Sequence, residues 1–403
     1  MLNFHSMTTS LKLRFLILIS FIAFVSLGLP DGLLGIAWPF ISDKLDIPLE
    51  NLGVLLMFFV AGYLSSSMTS SKIMSWISLG WLLAFSCFLT GVSLFGFALS
   101  NQWIFLIFSA YFLGSGGGAI DTSLNIFASA NFSPSVVNWL HAFYGIGATS
   151  GPLILTWFFT MGQTWKSGYY FVGSIQISLG ILFILSSKMW LVKEKTKEIN
   201  QEKISYRLTL QKPLVWLSIL IFFVYTGLEV CVGQWTFTIL TKSRSIAEES
   251  AGLWVSTFWG SLTLGRILFG FILKKISTVQ VLHLAMFGII IGSGAFLVDV
   301  SNTMSFLGIF LIGFSCAPVF PSMIALVPGL FGEKFAANII GFQISAAMIG
   351  GAILPAVSGF LTDPFGWEVI PISFFFQAIL LALSYYFLIK KLKIKHRNYS
   401  PGF

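Results

Sequence analysis

Long apolar stretches alternate with short polar ones along the whole chain, and their spacing is that of membrane crossings. A helix rises about 1.5 Å per residue and must traverse about 30 Å of hydrocarbon, so roughly 20 apolar residues make one span. On that measure the sequence predicts twelve spans: 13–40, 50–71, 73–99, 103–130, 135–161, 168–191, 213–241, 249–273, 278–299, 303–328, 334–362 and 367–390. Several are longer than required, which predicts tilted or broken helices. Inside lipid a helix satisfies every backbone group within its own segment. The pattern therefore predicts an all-α polytopic membrane protein.

One polar interval stands apart. Residues 192–212 (VKEKTKEINQEKISYRLTLQK) are basic and carry few large apolar side chains. They predict an N-terminal six-helix bundle over 1–191, a cytoplasmic linker over 192–212, and a C-terminal six-helix bundle with a basic tail over 213–403. A faint internal echo agrees. The fifth span sets Gly145 and Gly147 before Pro152, and the eleventh sets Gly350 and Gly351 before Pro355. Two such halves are a common transporter layout.

Composition adds orientation. The 403 residues are 56% apolar and 9% charged, with a net charge of +8. With the N-terminus inside, the only basic residues in outer loops are Lys44, Lys166, Lys242 and Arg244. That bias predicts cytoplasmic termini in a bacterial inner or plasma membrane. The positive charge then sets topology and meets anionic lipid, not nucleic acid. Cys87, Cys231 and Cys316 fall within spans without metal-ligand spacing, so no metal or cofactor is expected. No phosphate-cradling glycine loop or nucleophile elbow occurs, which argues against an ATP-driven pump or an enzyme. Trp38, Trp103, Trp190, Trp216 and Trp367 lie near span ends, the usual place of interfacial anchors.

Three acids break the apolar runs: Asp31, Asp121 and Glu229. An ionised side chain at mid-bilayer costs from ~2.5 to more than ~10 kcal/mol, so such residues mark pairing or transport. Asp31 lies in Gly28-Leu29-Pro30-Asp31-Gly32, where proline and glycine predict a kinked or unwound helix. Asp121 follows the glycine run 114–118 and shares a helix face with Asn125. His141 falls at similar depth on the next antiparallel span. An Asp121–His141 pair would exchange a proton near neutral pH; a static pair fixing helix register is the alternative. Glu229 stands one turn from both Tyr225 and Gly233, a hydroxyl beside room for a guest. An acid satisfied by a neighbouring helix is the other reading.

Arg266, between Gly265 and Gly270, predicts a cytoplasmic latch or a side chain snorkelling to the interface. The candidate proton-coupling residues are thus Asp31, Asp121, His141 and Glu229. Candidate substrate contacts are Asn125, Asn138, Tyr144, Tyr225, Gln234 and Trp235. Gly265, Arg266 and Gly270 are candidates for gating.

These stretches carry a resemblance. Residues 114–154 resemble the fourth and fifth helices of the fucose- and glucose-permease-like branch of the major facilitator superfamily. Residues 227–235 and 251–270 resemble its seventh and eighth helices, and 29–39 its first. The resemblance implies two pseudo-symmetric bundles working by alternating access. It also implies proton-coupled symport of a small polar solute, a monosaccharide above all. Asp31 and Asp121 resemble the branch's coupling and sugar-binding acids, and Asn125 a polar partner one turn on. Two departures stand out. Asp121 is one methylene shorter than the glutamate of the fucose permease, and residues 62–72 (GYLSSSMTSSK) lack the usual loop Asp and Arg. The second copy of that loop persists in part around Gly265 to Lys275, so inner latching falls to the C-terminal half.

Other readings stay open. Sodium replaces the proton in one. In another the chain is an efflux antiporter, since 147–152 matches the opening of an exporter motif. Leu155-Thr156 then replaces the glycine pair that should follow, and Glu229 with Trp235 would form a lipophilic-cation site. The third is a membrane sensor that binds a solute without moving it. A monomer in lipid is expected, with solute and ion as its only partners.

Overall fold

The predicted spans form helices in the computed structural model, which describes residues 9–190, 205–273 and 275–398. The first half holds α1 (Thr9–Leu45), α2 (Leu52–Ile73), α3 (Leu79–Leu99), α4 (Trp103–Asn131), α5 (Pro134–Thr160) and α6 (Trp165–Ser186). A short α7 (Tyr206–Leu210) precedes α8 (Pro213–Thr238), α9 (Glu248–Ile272), α10 (Thr278–Val298), α11 (Asn302–Cys316) and α12 (Val319–Phe331). Then come α13 (Glu333–Phe360), α14 (Thr362–Phe365) and α15 (Val369–Asn398). Among the described residues, 11 helical stretches are long and apolar enough to cross a membrane, α11 and α12 counting as one. The long helix α5 completes the two sets of six.

Local sequence explains where several helices begin. Pro134 and Pro213 occupy first turns, where a missing N–H costs nothing. Ser133 caps α5 by accepting from the Val136 N–H, and Ser277 with Gln280 forms a capping box on α10. Asp299 ends α10 in the left-handed conformation, φ 48°.

The chain divides into two compact units. One contains the described residues up to 190 with Ala247–Ser256, the other 205–246 with Thr257 onward. Within the first, α1 pairs with α5, α2 with α4, and α3 with α6. Within the second, α8 pairs with α13 and α10 with α15, while a methyl group on Gly313 of α11 would stand 2.4 Å from Phe258 O of α9. The two halves thus repeat one pairing scheme. The glycine–proline echo marks it: a methyl on Gly147 would meet Val25 O at 2.0 Å, and one on Gly350 would meet Phe223 O at 2.0 Å. Glycine is needed at both positions because a partner backbone occupies the side-chain space.

The core of the first unit gathers Phe24, Phe127, Phe183 and Trp190 around α1, α4 and α6. Large apolar residues such as Phe108, Phe287 and Phe376 remain exposed on the helices, as lipid-facing positions require.

Three expectations need correction. First, α1 is continuous through Pro30 and does not unwind. Its glycines serve α5 instead: a methyl on Gly28 would stand 2.2 Å from Tyr144 O, and one on Gly32 2.3 Å from Pro152 Cδ. That close packing carries the helix past one missing hydrogen bond. Second, the tenth span is broken at Ala317–Pro318 into α11 and α12. Third, Trp38 and Trp190 are enclosed by protein, the Trp38 indole donating to Leu49 O at 2.7 Å. They pack helices and do not anchor in lipid headgroups. The predicted linker falls outside the described residues over 192–204, and its end forms α7.

Candidate functional site

The first unit brings its two acids into one polar cluster. Asp121 on α4 accepts from the Tyr63 hydroxyl of α2 at 2.5 Å and from Asn125 Nδ2 at 2.8 Å. Asn125 sits one turn along the same face, as its spacing predicts. Tyr63 comes within reach because α2 and α4 touch backbone to backbone: a methyl on Gly114 would stand 1.9 Å from Phe59 O, and one on Gly118 2.4 Å from Tyr63 O. The glycine run is therefore the device that delivers a hydroxyl to the acid.

Asp31 on α1 accepts from the Tyr144 hydroxyl of α5. This bond crosses the α1–α5 contact at the level of Gly28, Gly147 and Gly151. His141 stands edge-on to Phe24, ring centroids 5.6 Å apart, and is exposed. Asp31, Asp121, Asn125, His141 and Tyr144 are thus gathered in one unit. Asn138 lies on α5, with its side chain outside the described portion.

Sequence reasoning missed Tyr63. A lone tyrosine in an apolar span reads as packing; only the glycine contact between α2 and α4 turns its hydroxyl toward Asp121.

The second unit treats its acid differently. Arg266 Nη2 lies 3.8 Å from Glu229 Oε1, and both side chains are largely buried. Tyr225 and Cys316 stand beside the pair. Glu229 is thus an acid met by a neighbouring helix, the alternative weighed from its sequence. The space predicted at Gly233 is filled, since a methyl there would meet Trp259 Cζ2 at 2.6 Å. Trp235 is fully buried and donates to Pro355 O at 3.0 Å. It packs α8 against α13, and Gln234 beside it is buried too. Gly265 takes the close approach of α11, with Phe314 O 2.8 Å from a methyl group placed there, whereas nothing lies within 4 Å of one on Gly270.

Away from the spans, Arg244 forms a clasp that the sequence did not reveal. Its guanidinium donates to Asp299 Oδ1 at 3.1 Å, Glu368 Oε2 at 3.1 Å and Phe296 O at 2.9 Å, and lies 4.3 Å from the centroid of the Phe296 ring. Burial alone would raise the Glu368 carboxyl. The hydrogen bonds from Arg244 and Ser243 and the Arg244 charge outweigh it and hold Glu368 below the usual carboxylate range.

Paired helical halves with acids inside the spans define a polytopic transporter. The family model of the Major Facilitator Superfamily matches residues 16–297 and 232–401, and the chain belongs to that family. It is 26% identical over 360 residues to the glucose/mannose transporter GlcP of Bacillus subtilis (strain 168), covering 86% of this chain and 88% of that protein. The nucleoside transporter NupG shares the fold at a TM-score of 0.74 and 15% identity, over 94% of this chain and 99% of that one. A variant of the E. coli fucose:proton symporter FucP matches at a TM-score of 0.59 and 16% identity, over 93% and 97% of the two chains. Family membership makes this an integral membrane carrier of small polar solutes by secondary transport, not an enzyme.

Proposed function

We propose that the chain is a proton-coupled symporter that imports a monosaccharide, with Asp121 as the principal coupling acid and Asp31 as its partner. The observation carrying this reading is the Asp121 carboxylate, inside a span and bonded to both Tyr63 and Asn125. Ionised, it accepts both donors; protonated, it loses its charge and part of that bonding, so a single proton changes the polar surface offered to a solute. Hydroxyls and an amide around a carboxylate also suit the hydroxyls of a sugar. The similarity to a glucose/mannose transporter supports the substrate class. The basic loops support cytoplasmic termini, and the two halves would alternate access to the solute.

The efflux reading relied on Glu229 and Trp235 as a lipophilic-cation site. It is weakened because Arg266 faces Glu229 and Trp235 is enclosed. The test uses proteoliposomes with radiolabelled D-glucose, D-mannose and L-fucose. Uptake should follow an inward proton gradient in the wild type. Asp121→Asn should abolish gradient-driven uptake and spare sugar exchange. Gradient-driven uptake that persists in this variant rejects the assignment of Asp121. Uptake driven by sodium at equal pH on both sides would reassign the coupling ion, and no uptake of any of the three sugars would reject the substrate class.

A further inference from the structure

Only Gln211 and Lys212 separate α7 from α8, and the short helix is exposed and apolar at once. Tyr206 and Leu208 are 67% and 54% exposed, and Trp216 in the first turns of α8 is 56% exposed. Exposed aromatic and aliphatic side chains interleaved with basic ones suit the level of lipid headgroups. The length of the span puts them there. Pro213–Ser243 is one apolar helical stretch of 31 residues, roughly 46 Å long at 1.5 Å per residue, against about 40–45 Å for a bilayer with its headgroups. Its ends therefore reach the headgroup layers, and α7 lies beside one of them.

Four contacts fix α7 in place. The Thr209 side chain is buried, and its hydroxyl accepts from Asn338 Nδ2 of α13 at 3.1 Å. The Tyr206 ring meets the Phe342 ring edge-on, centroids 5.7 Å apart. Lys212 Nζ stands 3.5 Å from the centroid of the Phe335 ring, a cation held on an aromatic face. Trp216 Nε1 donates to Leu210 O at 2.8 Å and ties the end of α7 to α8. Phe335, Asn338 and Phe342 are spaced i, i+3, i+7, so they form one stripe on the first three turns of α13. Charge on these segments has one sign in excess. Over 205–216 and 331–342 the chain carries Arg207, Lys212 and Lys334 against Glu333 alone. Arg207 and Lys334 are exposed.

We propose that α7 and the first turns of α8 are a docking surface for an anionic phospholipid, and that the bound lipid braces the start of α13. Arg207 and Lys212 supply the attraction that prefers an anionic headgroup to a zwitterionic one. Tyr206, Leu208 and Trp216 supply apolar area for the glycerol and the upper acyl chains. The path to α13 is the stripe itself, because whatever holds α7 holds Phe335, Asn338 and Phe342. No step depends on the solute carried or on the coupling ion.

Amide hydrogen exchange of the full chain in nanodiscs, read by mass spectrometry on peptides from 333–342, tests this. With phosphatidylglycerol added to phosphatidylcholine, wild-type exchange there should slow about fivefold relative to phosphatidylcholine alone. The slowing should exceed any in 74–78, a loop on the same membrane face by the count of spans, and high salt should reduce it. Arg207→Gln with Lys212→Gln should lose the slowing, whereas Lys166→Gln in the first unit should keep it. Thr209→Val retains both charges, so it should keep phosphatidylglycerol bound in native mass spectrometry yet lose much of the slowing. Equal wild-type exchange in the two membranes overturns the proposal without recourse to any variant. Slowing that survives in Arg207→Gln with Lys212→Gln overturns it as well. So does equal slowing by soluble glycerol 3-phosphate, which would assign the surface to a free anion.

Discussion

Arg244 and Glu368 stand 124 residues apart in the chain, yet Arg244 Nη2 lies 3.1 Å from Glu368 Oε2 with the arginine side chain only 5% exposed. The same guanidinium holds Asp299, so it joins the segments that follow α8, follow α10 and precede α15. Replacing Arg244 with alanine removes donors from two carboxylates and from the Phe296 carbonyl at once. The loss should be about 1–3 kcal/mol, moderated because both acids are partly solvated. A fall of several degrees in the thermal midpoint of the purified protein checks it, and Arg244→Lys should recover only part, since an ammonium lacks the planar fork.

The depressed Glu368 carboxyl gives this clasp a pH dependence of known sign. Folding lowers its pKa, so the folded state binds that proton less readily than the unfolded chain. Its stabilisation is complete above the unfolded value, about 4.3, and fades as pH falls through the lower folded one. Thermal midpoints should drop on acidification below about pH 4.5. In Glu368→Gln that component should vanish, with the midpoint already lower at neutral pH. An acid-side profile in Glu368→Gln that matches wild type counts against the clasp.

Gly147 and Gly270 make a matched contrast within one chain. A methyl on Gly147 would intrude to 2.0 Å on a backbone carbonyl, whereas nothing lies within 4 Å of one on Gly270. Gly147→Val should separate α1 from α5 and cost more than ~3 kcal/mol, visible as loss of monodisperse protein in size-exclusion chromatography. Gly270→Ala should leave stability unchanged or raise it by up to about 1 kcal/mol.

The Glu229–Arg266 pair predicts a thermodynamic cycle. Removing either charge alone strands the other in a largely buried site and should cost about 1–3 kcal/mol, less than for a fully enclosed pair. Neutralising both, as Glu229→Gln with Arg266→Gln, should recover at least half of that loss. Additive losses in thermal unfolding would show that the two charges do not depend on each other.

Much of this was readable because lipid restricts the solutions. Twelve apolar runs implied twelve long helices, and the glycines before Pro152 and Pro355 marked the two contacts where backbones touch. Asp121 and Asn125 could be set on one face from their spacing alone. The proline in α1 misled as to unwinding, because propensity gives no account of a neighbour packed tightly enough to keep a helix continuous. The break at Ala317–Pro318 was not placed, because the apolar run continues across it and Pro318 falls inside a single predicted span. Tyr63 and Arg244 were invisible in their roles. Each acts on partners 52 or more residues away, and no local pattern encodes which loop or helix will arrive beside them.

The ion pair of the second half also bears on membrane voltage. A single buried charge that crosses the whole bilayer field exchanges about 2.3 kcal/mol for every 100 mV. Glu229 and Arg266 sum to zero, and their charged atoms are 3.8 Å apart. The field therefore acts on a short dipole, spanning at most about an eighth of a 30 Å hydrocarbon layer, or roughly 0.3 kcal/mol per 100 mV. The C-terminal pair therefore stays nearly indifferent to the membrane potential, whatever the carrier moves.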